Sequence, residues 1–470
     1  MTDKITDKKK QWLVVFSLSI GILMASLDFS IVNVSLPTIT GYFGTNTDTA
    51  SWVVLSYFLA NMGLTLVVGR VGDIWGFKKI YVWGMALFTL SSFMCGASQS
   101  IEMLIISRVM QGIGGAMFST LVLAMISAYL PAEFRGKYIG IVSMCKSLGV
   151  MMGPGIGALI TSYVSWKWVF FVNIPFGIAA FASAAVLLRQ DTAKKDHAKF
   201  RIGEVLLLIV SLTIFFYITS SGETLGWLSP LVLTLLVASG FGIVMFVRTE
   251  LKIDSPLINL SLLKISGLSM GLIANTLRFV IIFGMNFLLP FYFEIGLNIS
   301  LKVSGLLLMI PSGLMVVMSP FTGRLSDRVG AQMLCVFGMA LSVVCFIMLT
   351  LGGSQAALWY VVMSMVVLGL SSGFFSSPND VLIMSHAPKG MEGLVSSLNI
   401  MANRVGGTIG IIVFQNVVSL SMPQGMDIRP GVPQAVLHRA FENSFIAAAV
   451  LSAIVIVFSF LAKDAKKNAV

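Results

Sequence analysis

The sequence predicts an all-α integral membrane protein built from two six-helix bundles with two additional transmembrane helices between them, fourteen spans in all. Three observations lead there. Of 470 residues, 57% are hydrophobic and only 11% charged, against roughly a quarter charged in a soluble domain. Apolar runs long enough to cross about 30 Å of hydrocarbon as helices recur along the whole chain, without the alternating pattern of a membrane barrel. A short polar motif also occurs twice, as "GRVGDIWGFKK" at 69–79 and "GRLSDRVGAQ" at 323–332.

The first span, 12–36, follows the basic segment "KITDKKK" and runs past Asp28 to Pro37 without a small-residue cleavage site, so it reads as a span and not a removable signal. Spans at 50–69, 80–97, 102–128, 138–163 and 168–188 complete an N-terminal bundle, residues 1–189. Two more, at 203–220 and 229–247, lie in a connecting region, 190–266. The C-terminal bundle, 267–470, holds spans at 267–292, 304–323, 332–351, 358–377, 394–419 and 441–462. The division follows from the repeat, since the motif comes after the second span and again after the tenth. Tandem bundles of this kind are a common transporter architecture.

The net charge of +11 is a matter of topology and not of nucleic-acid binding. With the N-terminus in the cytoplasm, most of the 31 lysines and arginines fall in cytoplasmic segments, and only Lys167, Lys302, Arg429 and Arg439 fall in outer loops. The positive-inside rule then places both termini of a multi-pass cell-membrane protein in the cytoplasm. No loop is long enough to form a soluble domain. No G-x-x-x-x-G-K-[ST] motif is present; "RGKY" at 135–138 lacks the first glycine and the hydroxyl residue. His197, His386 and His438 fall in loops, and Cys95, Cys145, Cys335 and Cys345 fall in spans without paired ligand spacing. Metal sites, catalytic residues, cofactors and enzymatic activity are therefore not expected.

Four stretches carry chemistry. "LDFSIVNVSLP" (27–37) puts Asp28 inside a span, where a carboxylate is expensive and usually serves ions, protons or a charged ligand. "RVMQGIGGA" (108–116) puts Arg108 at comparable depth in the fourth span, with Gln111 one turn on; the two ionised groups could share one cavity or hydrogen-bond network, or form a fixed ion pair. "GVMMGPGIGA" (149–158) places Gly149, Gly153 and Gly157 on one helical face for close approach of a partner helix, with Pro154 bending the span. The repeated loop motif offers Gly69 and Gly76 for sharp turning where a span ends, with Asp73 and Lys78 at the inner face; Gly323, Asp327 and Gly330 are its second copy.

Together these stretches resemble the major facilitator superfamily, and specifically its fourteen-span drug:proton antiporter branch, whose members include exporters of quaternary ammonium compounds. "WKWVFFVNIPFG" (166–177) and "NRVGGTIG" (403–410) match that branch as well. The resemblance spans nearly the whole chain and implies a major facilitator fold and proton-coupled, cofactor-free efflux of lipophilic, often cationic compounds. It further implies that Asp28 serves proton coupling or cation recognition, that Arg108 assists the proton relay, that Gly153 and Pro154 contribute to a seal between the halves, and that Gly69, Asp73 and Gly76 latch the outward-open state. Asp28, Asn33, Gln111 and Glu294 are the substrate-binding candidates, and Asp28, Arg108 and Glu294 the proton-coupling candidates. The expected partners are a small lipophilic molecule, protons and the bilayer, with the protein a monomer.

The sequence departs from that branch at "FRIGEV" (200–205), which lacks an aspartate, at "FYFEIG" (291–296), where Glu294 stands in place of glutamine, and at Lys146. Glu294 reads as a second protonatable site or as a solvated carboxylate at the end of its span. Arg278 and Arg404 read as anchors of the C-terminal bundle that pair with Glu294 or a carbonyl. A dedicated exporter of one metabolite or antibiotic is the alternative function, with an importer and a non-transporting sensor behind it.

Overall fold

The computed structural model describes residues 7–188, 202–226, 229–251, 260–353, 356–388, 391–423, 426–429 and 431–463. Sixteen α-helices follow one another among them. The first eight are α1 (Lys8–Phe43), α2 (Thr47–Trp75), α3 (Phe77–Gly96), α4 (Ile101–Ser119), α5 (Val122–Tyr129), α6 (Arg135–Tyr163), α7 (Trp168–Phe171) and α8 (Asn173–Leu187). Next come α9 (Ile202–Leu225) and α10 (Pro230–Glu250). The last six are α11 (Ser266–Phe291), α12 (Leu301–Val329), α13 (Ala331–Gly352), α14 (Leu358–Ser385), α15 (Glu392–Ser421) and α16 (Gln434–Leu461).

Each of the fourteen expected spans falls on a helical stretch. Among the described residues, eleven helical stretches are both long and apolar enough to cross a membrane; those of α2, α3 and α9 are not among the eleven. Two expected spans are interrupted: α4 gives way to α5 at Thr120 and Leu121, and α7 gives way to α8 at Val172.

The chain divides into two compact units, one of Met1–Thr45, Thr49–Phe215 and Leu233–Ile243, the other of Asn46–Asp48, Phe216–Val232 and Val244–Val470. The unit boundaries cut through both α9 and α10, so neither helix belongs wholly to one unit.

In the N-terminal unit, buried aromatic and aliphatic side chains from α1, α3, α4, α5 and α6 form one core, in which Phe118 meets Tyr81 and Phe88 edge-on at ring separations of 6.1 and 5.4 Å. Glycines bring the helix backbones close. A Cβ at Gly112 would lie 2.5 Å from the Tyr57 carbonyl oxygen on α2, and one at Gly114 would lie 2.6 Å from the Phe88 nitrogen on α3. The glycines of "QGIGGA" thus pin α4 between α2 and α3. The face carrying Gly149, Gly153 and Gly157 packs onto α1: added Cβ atoms would meet the Leu23 carbonyl oxygen at 2.7 Å, the Ser30 hydroxyl, and the Ile31 carbonyl oxygen at 2.8 Å. These residues flank Asp28.

The C-terminal unit uses the same device, because Cβ atoms at Gly406 and Gly410 on α15 would collide with the Thr276 and Val280 carbonyl oxygens of α11.

The repeated motif has one geometry in both copies, and it corrects the expected position of the turn. Helix α2 continues through Gly69 and Asp73 to Trp75, and α12 continues through Gly323 and Asp327 to Val329. The chain turns only at the last glycine of each copy, Gly76 with φ 91° and ψ 138° and Gly330 with φ 98° and ψ 138°. An L side chain is strained at such a φ, so the final glycine is the conformational requirement and the first is simply helical. The side chain of Asp73 and the surroundings of Gly69 lie outside the described residues. Lys78 Nζ donates to the Ala185 carbonyl oxygen at 2.8 Å, in the last turn of α8, where carbonyls lack helical partners. Asp327 is exposed.

Candidate functional site

Asp28 is fully buried and makes an ion pair: Arg108 Nη1 donates to its Oδ2 at 2.8 Å. Its other oxygen, Oδ1, accepts from Gln111 Nε2 at 2.9 Å and from Asn173 Nδ2 at 2.7 Å. Arg108 is held from three further directions. Its Nε donates to the Val53 carbonyl oxygen at 2.9 Å, its Nη1 also donates to Gln111 Oε1 at 2.6 Å, and its guanidinium lies 4.3 Å from the centre of the Tyr57 ring. Gln111 Nε2 donates in addition to Ser92 Oγ at 2.8 Å.

Five helices build this cluster. Asp28 comes from α1, Val53 and Tyr57 from α2, Ser92 from α3, Arg108 and Gln111 from α4, and Asn173 from the first position of α8. The spacing of Arg108 and Gln111 puts both on one face of α4, and the α4 glycines bring that face against α2 and α3. A carboxylate with three donors and a guanidinium with a carboxylate, a carbonyl, an amide and an aromatic face is a nearly saturated network at low dielectric, where each charge-assisted bond is strong.

Asp28, Arg108 and Gln111, which the sequence read as sharing one cavity or hydrogen-bond network or as forming a fixed ion pair, are in direct contact. Asn33 lies on α1 five residues beyond Asp28, buried, with its Oδ1 lacking a hydrogen-bond partner, and it does not touch the carboxylate. Glu294 lies in the C-terminal unit, in a short π-helical turn, Tyr292–Gly296, that extends α11. It is half-buried, with one carboxylate oxygen, Oε1, buried. It does not pair with Arg278, whose Nη2 donates to Ser376 Oγ at 2.7 Å. The two residues are sixteen apart on one helical path, roughly 24 Å along its axis, too far for any side chain to bridge.

Sequence reasoning missed Asn173, Ser92, Tyr57 and the Val53 carbonyl as members of the network. For Asn173 a signal existed: a lone amide in the apolar run "VFFVNIPFG", at the break between α7 and α8. The backbone carbonyl of Val53 leaves no trace in the sequence.

Comparison with known proteins bears on the whole chain. It is 28% identical over 463 residues to "Riboflavin transporter RibZ" of Clostridioides difficile (strain 630), covering 98% of this chain and 99% of that one. It is 31% identical over 403 residues to "Uncharacterized transporter YebQ" of Escherichia coli (strain K12), covering 84% and 86%. It is 27% identical over 444 residues to "Multidrug resistance protein Stp" of Mycobacterium tuberculosis (strain CDC 1551 / Oshkosh), covering 94% and 82%. Among solved structures, a bacterial homologue of the human lysosomal transporter Spinster superposes with a TM-score of 0.68 at 15% identity, covering 97% of both chains, which speaks for the fold alone. The family profile described as "Major Facilitator Superfamily" matches residues 18–411. That profile covers well over half of the chain, so this chain belongs to the major facilitator superfamily.

Proposed function

We propose that the protein is a proton-coupled multidrug efflux antiporter that exports lipophilic, often cationic compounds by alternating access. The observation that carries this reading is the buried Asp28 carboxylate, held by Arg108, Gln111 and Asn173 within the N-terminal unit. A carboxylate at that depth has two states of very different character. Ionised, it attracts a cation or keeps Arg108 as its partner; protonated, it is neutral and releases that arginine. Substrate and proton then compete for one group, and a proton moving inward down 100 mV contributes roughly 2.3 kcal/mol per charge. In this reading the chain crosses the cell membrane fourteen times as a monomer, with both termini in the cytoplasm, and the proton gradient replaces any cofactor. Glu294, with one buried carboxylate oxygen, is a second protonatable group in the other unit.

The test is proton release from the purified protein on adding ethidium, tetraphenylphosphonium or a neutral drug, with Asp28→Asn alongside. Release by several unrelated cations that disappears in Asp28→Asn supports antiport at this site. Absence of release from folded protein with every compound removes the polyspecific reading. A transporter dedicated to one metabolite is the second reading, and the relative named as a riboflavin transporter, aligned over nearly the full length of both chains, favours it. It predicts release by one compound class alone.

A further inference from the structure

The C-terminal unit holds a second buried cation, and its surroundings differ in kind from those of Arg108. Arg278 lies midway along α11 and is buried. Its guanidinium sits 5.0 Å from the centre of the Phe375 ring and 5.6 Å from that of Phe279. Its bond to Ser376 Oγ is its one side-chain hydrogen bond among the described residues, although a guanidinium carries five N–H donors. No described carboxylate stands at ion-pair distance from it. Asp380, one turn beyond Ser376 on α14, acts on it through charge, but Asp380 is exposed and its Oδ1 already accepts from Asn399 Nδ2 at 2.9 Å.

Asn379 supplies an independent observation. It is buried on α14 three residues after Ser376, so it shares the face that meets Arg278, with Cβ atoms roughly 5–6 Å apart. Its Nδ2 has no hydrogen-bond acceptor. The neighbouring amides bond to one another: Asn275, one turn before Arg278, donates to Asn399 Oδ1 at 2.5 Å and to Asn403 Oδ1 at 2.6 Å. The cluster therefore has donors in surplus and a cation without a close counter-ion. Buried donors of this kind are costly unless a partner arrives.

We propose that Arg278 and Asn379 form a recognition site for a carboxylate borne by an otherwise apolar or cationic substrate. The inference rests on the transporter reading above and adds to it a preference, among its substrates, for amphiphiles that carry a carboxylate. A carboxylate matches the guanidinium fork in geometry and charge, and its second oxygen can accept from the asparagine amide. Phe375 and Phe279 then offer flat apolar surface beside the bound head.

The test uses the full-length protein in lipid nanodiscs and two fluorescent dyes sharing one xanthylium body: rhodamine B, with a free carboxylate, and its ethyl ester. The wild type is expected to bind the acid about tenfold more tightly than the ester, the discrimination a well-placed charged hydrogen-bond pair provides. Arg278→Gln abolishes that preference by weakening the acid, with the variant's fold checked by its thermal unfolding transition. Arg278→Lys keeps part of the preference, Asn379→Leu weakens the acid alone, and Asp380→Asn strengthens the acid by removing a competing carboxylate. Equal wild-type affinities, or a preference that survives Arg278→Gln, overturn the site. If the ester is bound and exported from vesicles without any preference for the acid, this inference alone fails; if neither dye is bound or exported, the exporter reading fails with it.

Discussion

Arg108 Nη1 lies 2.8 Å from Asp28 Oδ2, with both side chains buried and the two residues 80 positions apart in the chain. Breaking such a pair from either end has unequal consequences. Arg108→Ala leaves an uncompensated buried carboxylate and is expected to lower stability by about 3–5 kcal/mol. Asp28→Asn keeps a polar group in place and removes the charge, so its expected loss is smaller while ethidium export disappears. Thermal unfolding in detergent, together with vesicle export assays, separates the two.

Asn173 is the donor that sequence reasoning missed. Asn173→Leu removes one charge-assisted bond to Asp28 Oδ1 and is expected to cost about 1.5–3 kcal/mol of stability and to slow export. Export at the wild-type rate with unchanged thermal stability would exclude Asn173 from the network.

The glycine face of α6 is a packing surface against α1. Gly149→Ala drives a methyl to 2.7 Å from the Leu23 backbone oxygen, which cannot rotate away, and is expected to destabilise by about 1–3 kcal/mol. Gly136 on the same helix has nothing within 4 Å of an added Cβ, so Gly136→Ala is the control and is expected to be neutral or slightly stabilising. Equal melting temperatures for the two variants would contradict the close packing.

Gly76 and Gly330 hold equivalent turns. Alanine at either one is expected to cost of order 1–3 kcal/mol of backbone strain, and by a similar amount because the dihedral angles agree. Gly69→Ala and Gly323→Ala, within helices, are expected to be milder as far as the backbone is concerned. A thermal-stability series over the four positions checks this.

The proposed fourteen-span topology would place both termini on one side of the membrane and the turn after α9, at Gly226, on the other. Single-cysteine labelling at Gly226 and near Asp7 with an impermeant maleimide is expected to give opposite accessibilities in intact cells. The same accessibility at both sites would require a different span count.

Much of the fold is legible in the sequence, because lipid allows few solutions. A backbone in hydrocarbon must satisfy its own hydrogen bonds, so long apolar runs become helices, and every expected span coincides with one. The cost of burying a charge singled out Asp28 and Arg108, and the depth of each in its own span placed them level with one another. Helical spacing added Gln111 to the same face. The repeated motif announced a repeated turn, and the requirement for positive φ chose the last glycine of each copy.

The tertiary structure decided which groups share a pocket. Asn173 reaches Asp28 from α8, and the Val53 carbonyl reaches Arg108 from α2, through helix packing that no local pattern encodes. Packing also aimed the glycine face of α6 at α1, and it left Arg278 with a hydroxyl and two rings in place of Glu294. The physical reason is common to these cases. Periodicity and hydropathy fix the face on which a side chain lies, whereas its partner depends on how neighbouring helices approach and cross, and that is set by side-chain volumes summed over whole interfaces.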